Sequence, residues 1–153
     1  MSKIQIGDFG ETITAVLLEK KYQEHNLQVV RVGSEHLPYD LIILDPPKAD
    51  TPFQRPVAIS VKSRGAWSNV IPPSEESIRD STEKLTLIGF EFWISFVHYQ
   101  FEEDRLHFEV YLVRASDLDS TGDFKRINRA KGYENQILTD KLKQKAIIKF
   151  LSK

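Results

Sequence analysis

Two residues of opposite charge, Asp40 and Lys62, each stand beside a short apolar run. Asp40 lies in Tyr39-Asp40-Leu41-Ile42-Ile43-Leu44, and Lys62 ends Val57-Ala58-Ile59-Ser60-Val61-Lys62. Both runs read as β-strands, and on neighbouring strands they would bring a carboxylate and an amine to one cleft. The carboxylate could hold a divalent cation while the amine positions or deprotonates a water, which is the skeleton of metal-dependent phosphodiester hydrolysis. Successive strand residues face opposite ways, so Val57, Ile59 and Val61 form a core face. Ala58, Ser60 and Lys62 then share the other face, where two small side chains leave room beside the amine.

The elements that must position this pair follow from periodicity. Residues 8–25 are helical in pattern, with Phe9, Ile13, Val16 and Leu17 on one stripe and Glu11, Ala15, Leu18 and Tyr22 on a second. Glu11 is therefore a carboxylate in line with residues that ought to pack. Strands are expected at 28–32, 39–45 and 57–63. The connection 46–56 holds four prolines and cannot be regular structure, so strands two and three form a long-looped hairpin. Ser74, after Pro72-Pro73, is an N-cap for a helix to about Leu87, and Gly89 would end it. Residues 90–101 and 106–114 read as strands four and five, joined by Glu102-Glu103-Asp104. Residues 135–151 carry Ile137, Leu138, Leu142, Ala146, Ile147 and Phe150 at helical spacing. The expected order is αβββαββ plus a C-terminal helix. It describes an α/β chain of the α+β type, a mixed sheet flanked by helices.

Composition narrows the class. A chain of 153 residues suffices for one sizeable core, so residues 1–153 are read as a single domain. Its core is placed at about 7–114, with a basic loop and C-terminal helix over 122–153. No apolar stretch approaches the length of a membrane span, and no basic leader with an apolar core is visible, so a cytoplasmic protein without membrane contact is expected. The absence of Cys excludes disulfides and thiolate metal sites, and His25, His36, His98 and His107 lack the short spacing of a zinc site. The net charge of −1 hides a split. Residues 125–153 carry nine basic against two acidic side chains, a balance of +7, leaving −8 for the first 124. A basic segment of this kind suits a polyanion such as DNA. Lys125, Arg126, Arg129 and Lys131 are the DNA-contact candidates, because they lie in a loop-like stretch between Gly122 and Gly132.

Three pieces together resemble the PD-(D/E)XK nuclease superfamily, which includes restriction enzymes and Holliday junction resolvases. They are Gly10-Glu11 at the start of the first helix, Pro38-Tyr39-Asp40-Leu41 on strand two and Ser60-Val61-Lys62 on strand three. The resemblance covers about residues 7–99. It implies a restriction endonuclease-like fold and Mg²⁺- or Mn²⁺-dependent cleavage of DNA. Asp40 and the Val61 carbonyl would be metal ligands and Lys62 the water-orienting group. Glu11 would build the metal site as the helix Glu of resolvases does. Dimers are common in the superfamily, and a homodimer is among the implied arrangements.

The pattern departs from the superfamily in two places. One residue separates Pro38 from Asp40. More importantly, Ser60 stands where an acidic residue should precede the Lys by two positions, and a serine is a poor Mg²⁺ ligand. Some restriction enzymes of the superfamily have Ser there and draw the carboxylate from the following helix, fourteen residues after the Lys. Here that position is Glu76, with Glu75 beside it. Acidic residues in a first helical turn also complement the helix dipole without any metal. Two other readings follow: a nuclease fold without catalysis that binds DNA or protein, and an oligomer joined through the aromatic run Phe90 to Phe96, whose apolar face is however better suited to a core role.

Overall fold

The computed structural model describes residues 3–33, 36–65, 75–102, 105–116 and 146–151. They form a six-stranded mixed sheet in sequential order with two helices, an α+β architecture. Helix α1 spans Lys3–Lys21 and is followed by a 3₁₀ turn, Gln23–His25. Strands β1 (Val30–Arg31), β2 (Leu41–Ile43) and β3 (Val57–Gly65) come next, then helix α2 (Glu75–Leu87) and strands β4 (Glu91–Glu102), β5 (Arg105–Arg114) and β6 (Ala146–Leu151). The order αβββαββ therefore holds through Arg114.

Strands β2 and β3 pair antiparallel with Leu41 opposite Ile59, as a hairpin requires, and β1 continues this antiparallel edge. Strand β4 then lies parallel to β3, with Val57 opposite Glu91 and Lys62 opposite Phe96. A parallel neighbour needs a crossover, and α2 supplies it. Because β4 starts level with the start of β3, α2 must run back along the sheet. Its N-terminus therefore lies at the end of the sheet where β3 finishes.

Each face of the sheet carries its own core, as alternation along β3 and β4 dictates. Leu17, Leu18 and Tyr22 of α1 cover Leu41, Ile59, Trp93 and Val97 on one face. Ile78 and Leu85 of α2 cover Ala58, Ile94 and Phe96 on the other. The aromatic run of β4 is thus spent inside the molecule, between β3 and β5, in the core role its apolar face suits and not as an oligomer interface.

Two other expectations are corrected. Residues 146–151 are not the end of a helix but strand β6, parallel to β5 with Ile148 opposite Val110. The run Ala146-Ile147-Ile148 is apolar at consecutive positions, which suits a buried strand as well as a helix face, and pairing decides between them. Residues 135–145 lie outside the described residues. In α1 the buried line runs through Gly10, Thr14, Leu17 and Leu18, while Phe9 and Val16 of the expected stripe are exposed. The cause is close contact between the helix and β3. A Cβ built on Gly10 would lie 3.3 Å from Val61 Cγ1 and 1.9 Å from Ser63 Oγ, so a larger residue here would force Ser63 to shift. Thr14 closes the same seam by donating to the Gly10 carbonyl at 2.8 Å and sharing a 2.9 Å hydrogen bond with Ser95.

The proline-rich connection is irregular but anchored at the far end of the sheet. Phe53 is buried edge-on against both Tyr22 and Trp93, with centroids 6.5 and 5.2 Å away. Arg114 stacks over Trp93 at 4.9 Å and donates to the Pro52 carbonyl at 3.1 Å.

Candidate functional site

Asp40 sits one residue before β2, where the ladder to β3 runs out. Its N–H donates to the Ile59 carbonyl at 2.8 Å, and its carbonyl accepts from Val32 at 2.8 Å. The next β3 donor, Val61 N–H, finds no backbone carbonyl and is taken by Asp40 Oδ2 at 2.7 Å. The side chain thus replaces the missing ladder partner, and this fixes the carboxylate beside β3. Among the described residues no other group bonds to the carboxylate, which leaves Oδ1 without a recorded partner there.

In an extended strand the N–H and C=O of one residue point to the same side. The Val61 carbonyl is therefore turned to the edge where Asp40 sits and where β2 offers no further partner. Lys62 follows on the opposite face from Val61, half-buried, in line with Ala58 and Ser60. Its ammonium has no hydrogen bond or ion pair among the described residues. Asp40, one residue before β2, and Lys62, on β3, thus lie at the same end of the sheet.

Glu11 is placed differently. It follows Gly10, which abuts Val61, but its carboxylate is held by Arg31 Nη2 at 2.7 Å. Glu76 is exposed near the N-terminus of α2, at the end of the sheet shared with Asp40 and Lys62, and has no partner among the described residues. Residues 66–74, which join β3 to α2, lie outside the described residues, as do Lys125, Arg126, Arg129 and Lys131. Ser60 is 3% exposed beneath α2, so the position that should carry an acid is closed to water.

Among the described residues no group of three His, Asp or Glu side chains converges as a metal site. Magnesium differs from zinc in this respect. It keeps several waters and is held by one or two carboxylates plus substrate phosphates instead of a full protein cage. Asp40 and the Val61 carbonyl are the neighbouring oxygens that could hold such a cation.

Arg31 was not singled out by sequence reasoning, and nothing local marks it, since its partners are about twenty residues earlier and only the β1 pairing brings them close. A second unmarked pair is Tyr111 and Glu109, where the buried phenol donates to the carboxylate at 2.6 Å. It lies on β5, two strands from Lys62, and does not join the site. Compared with protein-family models, curated proteins and solved structures, the chain matches none.

Proposed function

We propose that this chain is a nuclease-fold protein of the PD-(D/E)XK type that hydrolyses DNA phosphodiester bonds with Mg²⁺ or Mn²⁺. The observation that carries the reading is the clamp of Asp40 on Val61, with Lys62, which has no partner among the described residues, as the next residue. The order αβββαββ and the α2 crossover between two parallel strands support it as well.

Each residue has a role that its position permits. Asp40 gives one oxygen to the Val61 N–H and keeps the other for a ligand, so its carboxylate needs no reorientation when a substrate arrives. The Val61 carbonyl supplies a second oxygen donor at the same edge. The Lys62 ammonium, held by its strand, is placed to orient the attacking water and to balance charge building on the scissile phosphate. Glu76 takes the duty that Ser60 cannot perform, reaching back from α2. A bound divalent cation would supply a polarised water and neutralise phosphate charge. The basic segment 125–131 would follow the DNA backbone in a cytoplasmic setting, in a monomer or a homodimer.

A second reading, a non-catalytic DNA-binding or protein-interaction module on the same fold, is favoured by one observation: the buried hydroxyl of Ser60 at the acidic position. The two separate in one experiment, nicking of supercoiled plasmid by wild type and Lys62→Ala with and without Mg²⁺. Metal-dependent nicking lost in the variant supports the enzyme. No nicking alongside salt-sensitive DNA binding supports the module. Among the described residues no helix is long and apolar enough to cross a membrane.

A further inference from the structure

Arg31 stands on the edge strand β1, and its guanidinium is turned entirely onto the start of α1. Nη2 meets Glu11 Oε2 at 2.7 Å and lies 3.6 Å from Asp8 Oδ1, while Nη1 donates to Thr12 Oγ1 at 3.3 Å. Two independent contacts tie this cluster to the candidate site. On the β1 side, Arg31 pairs with Leu41, the neighbour of Asp40, and Val32 N–H bonds the Asp40 carbonyl at 2.8 Å. On the α1 side, Gly10, the neighbour of Glu11, abuts Val61, whose N–H holds the Asp40 carboxylate. The Arg31–Glu11 pair therefore arches over the beginning of β2, spanning the roughly 10 Å that two strand spacings separate.

We propose that Arg31 is a DNA-phosphate contact, and that Glu11 serves as its counter-ion only until a phosphate arrives and releases the carboxylate towards the cation position beside Asp40. The inference rests on the phosphodiesterase reading above and adds to it a coupling between DNA and metal. Three observations carry it. The guanidinium is a planar fork suited to two phosphate oxygens, and 47% of the Arg31 side chain is exposed to an incoming backbone. The pair is partly solvated, with Arg31 47% and Glu11 22% exposed, so a phosphate can reach the guanidinium and compete with Glu11 for it. Glu11 sits beside Gly10, at the point where α1 touches the residue that clamps Asp40. A carboxylate tied to Arg31 is poorly available to a cation, and a free one at this place adds to the Asp40 and Val61 donors. By linkage, DNA then tightens the metal and the metal tightens DNA.

The test measures Mn²⁺ affinity by calorimetry, without DNA, for wild type, Asp40→Asn, Arg31→Ala, Arg31→Lys, Glu11→Gln and the double variant Arg31→Ala/Glu11→Gln, each checked for folding by circular dichroism. Arg31→Ala should bind Mn²⁺ about tenfold tighter than wild type, within the usual range of site–site coupling, and Arg31→Lys should fall between them. The gain should vanish in the double variant, because it works through Glu11 and not through loss of a positive charge alone. In EDTA, Arg31→Ala should bind a short DNA duplex more weakly than wild type by about three- to tenfold, as loss of one phosphate contact implies. Mn²⁺ affinity that depends on Asp40 but ignores Arg31, or a gain that survives in the double variant, would overturn this proposal alone. Folded variants that all fail to bind Mn²⁺ would overturn the phosphodiesterase reading and this proposal with it.

Discussion

The Asp40 carboxylate accepts the Val61 N–H at 2.7 Å, and Val61 is the residue immediately before Lys62. One short contact thus links a carboxylate fixed beside the β-ladder to the strand that carries Lys62. The bond substitutes a side-chain acceptor for a ladder carbonyl, so this structural duty of Asp40 can be separated from the chemical duty proposed for it.

Asp40→Asn keeps an oxygen acceptor for Val61 but loses the charge. Its stability should stay within about 1 kcal/mol of wild type, while Asp40→Ala, which strands the Val61 N–H, should cost about 1–3 kcal/mol. Thermal melts with and without millimolar Mg²⁺ supply the chemical half. Wild type should gain melting temperature on adding metal, and Asp40→Asn should not. A wild-type melt indifferent to Mg²⁺ would speak against Asp40 as a ligand.

Gly10→Ala sets two effects against each other. Alanine improves intrinsic helix propensity by about 1 kcal/mol, but its Cβ would fall 1.9 Å from Ser63 Oγ. Overpacking of a close contact costs about 1–3 kcal/mol, so net destabilisation is expected in urea denaturation. Adding Ser63→Ala removes the nearest atom and should restore most of the loss. A Gly10→Ala protein more stable than wild type would mean that α1 does not press on β3 as described.

These contacts also mark where the sequence was legible and where it was not. Alternation along residues 57–63 separated Val57, Ile59 and Val61 from Ala58, Ser60 and Lys62, because strand period is a local property, but the room expected beside Ala58 and Ser60 is filled by a second core under α2. The proline-rich connection and Gly89, which adopts φ +85° after α2, were legible for the same reason. The buried line of α1 was misjudged, because apolar content pointed to Phe9 and Val16 while close packing demanded Gly10 and Thr14. Strand β6 was read as helix because Ile147 and Phe150 fit either period. The capture of Glu11 by Arg31 depends on β1 pairing with β2, and no spacing within the chain encodes that.

Phe53→Ala should detach the proline-rich connection from the core. Phe53 fills the gap between Tyr22 and Trp93, and truncation of such a buried ring costs about 3–5 kcal/mol. Denaturant unfolding should show that loss. Nicking per folded molecule should be unchanged, since Phe53 packs at the opposite end of the sheet from Lys62.

Tyr22 gives a pH signature at the same end. Burial, reinforced by the Asp50 carboxylate, raises its phenol above the ordinary value of 10.0. The folded protein therefore keeps a proton that the unfolded chain sheds. The stability from this difference is complete below pH 10.0 and declines as pH rises beyond it, until the folded phenol ionises too. Tyr22→Phe should lose less stability than wild type between neutral pH and about pH 11, read by urea midpoints at each pH. Parallel curves for the two proteins would contradict the assignment.

The central claim is that Lys62 and Asp40 form a metal-dependent phosphodiesterase pair, and plasmid nicking tests it most directly. Wild type should convert supercoiled DNA to the nicked form with Mg²⁺ or Mn²⁺ and not in EDTA. Lys62→Ala should lose at least about a hundredfold of that rate, in line with removal of one preorganised charge-stabilising group, while still binding DNA. Nicking that persists undiminished in Lys62→Ala, or a folded wild type that binds DNA but never nicks it with either metal, would contradict the account.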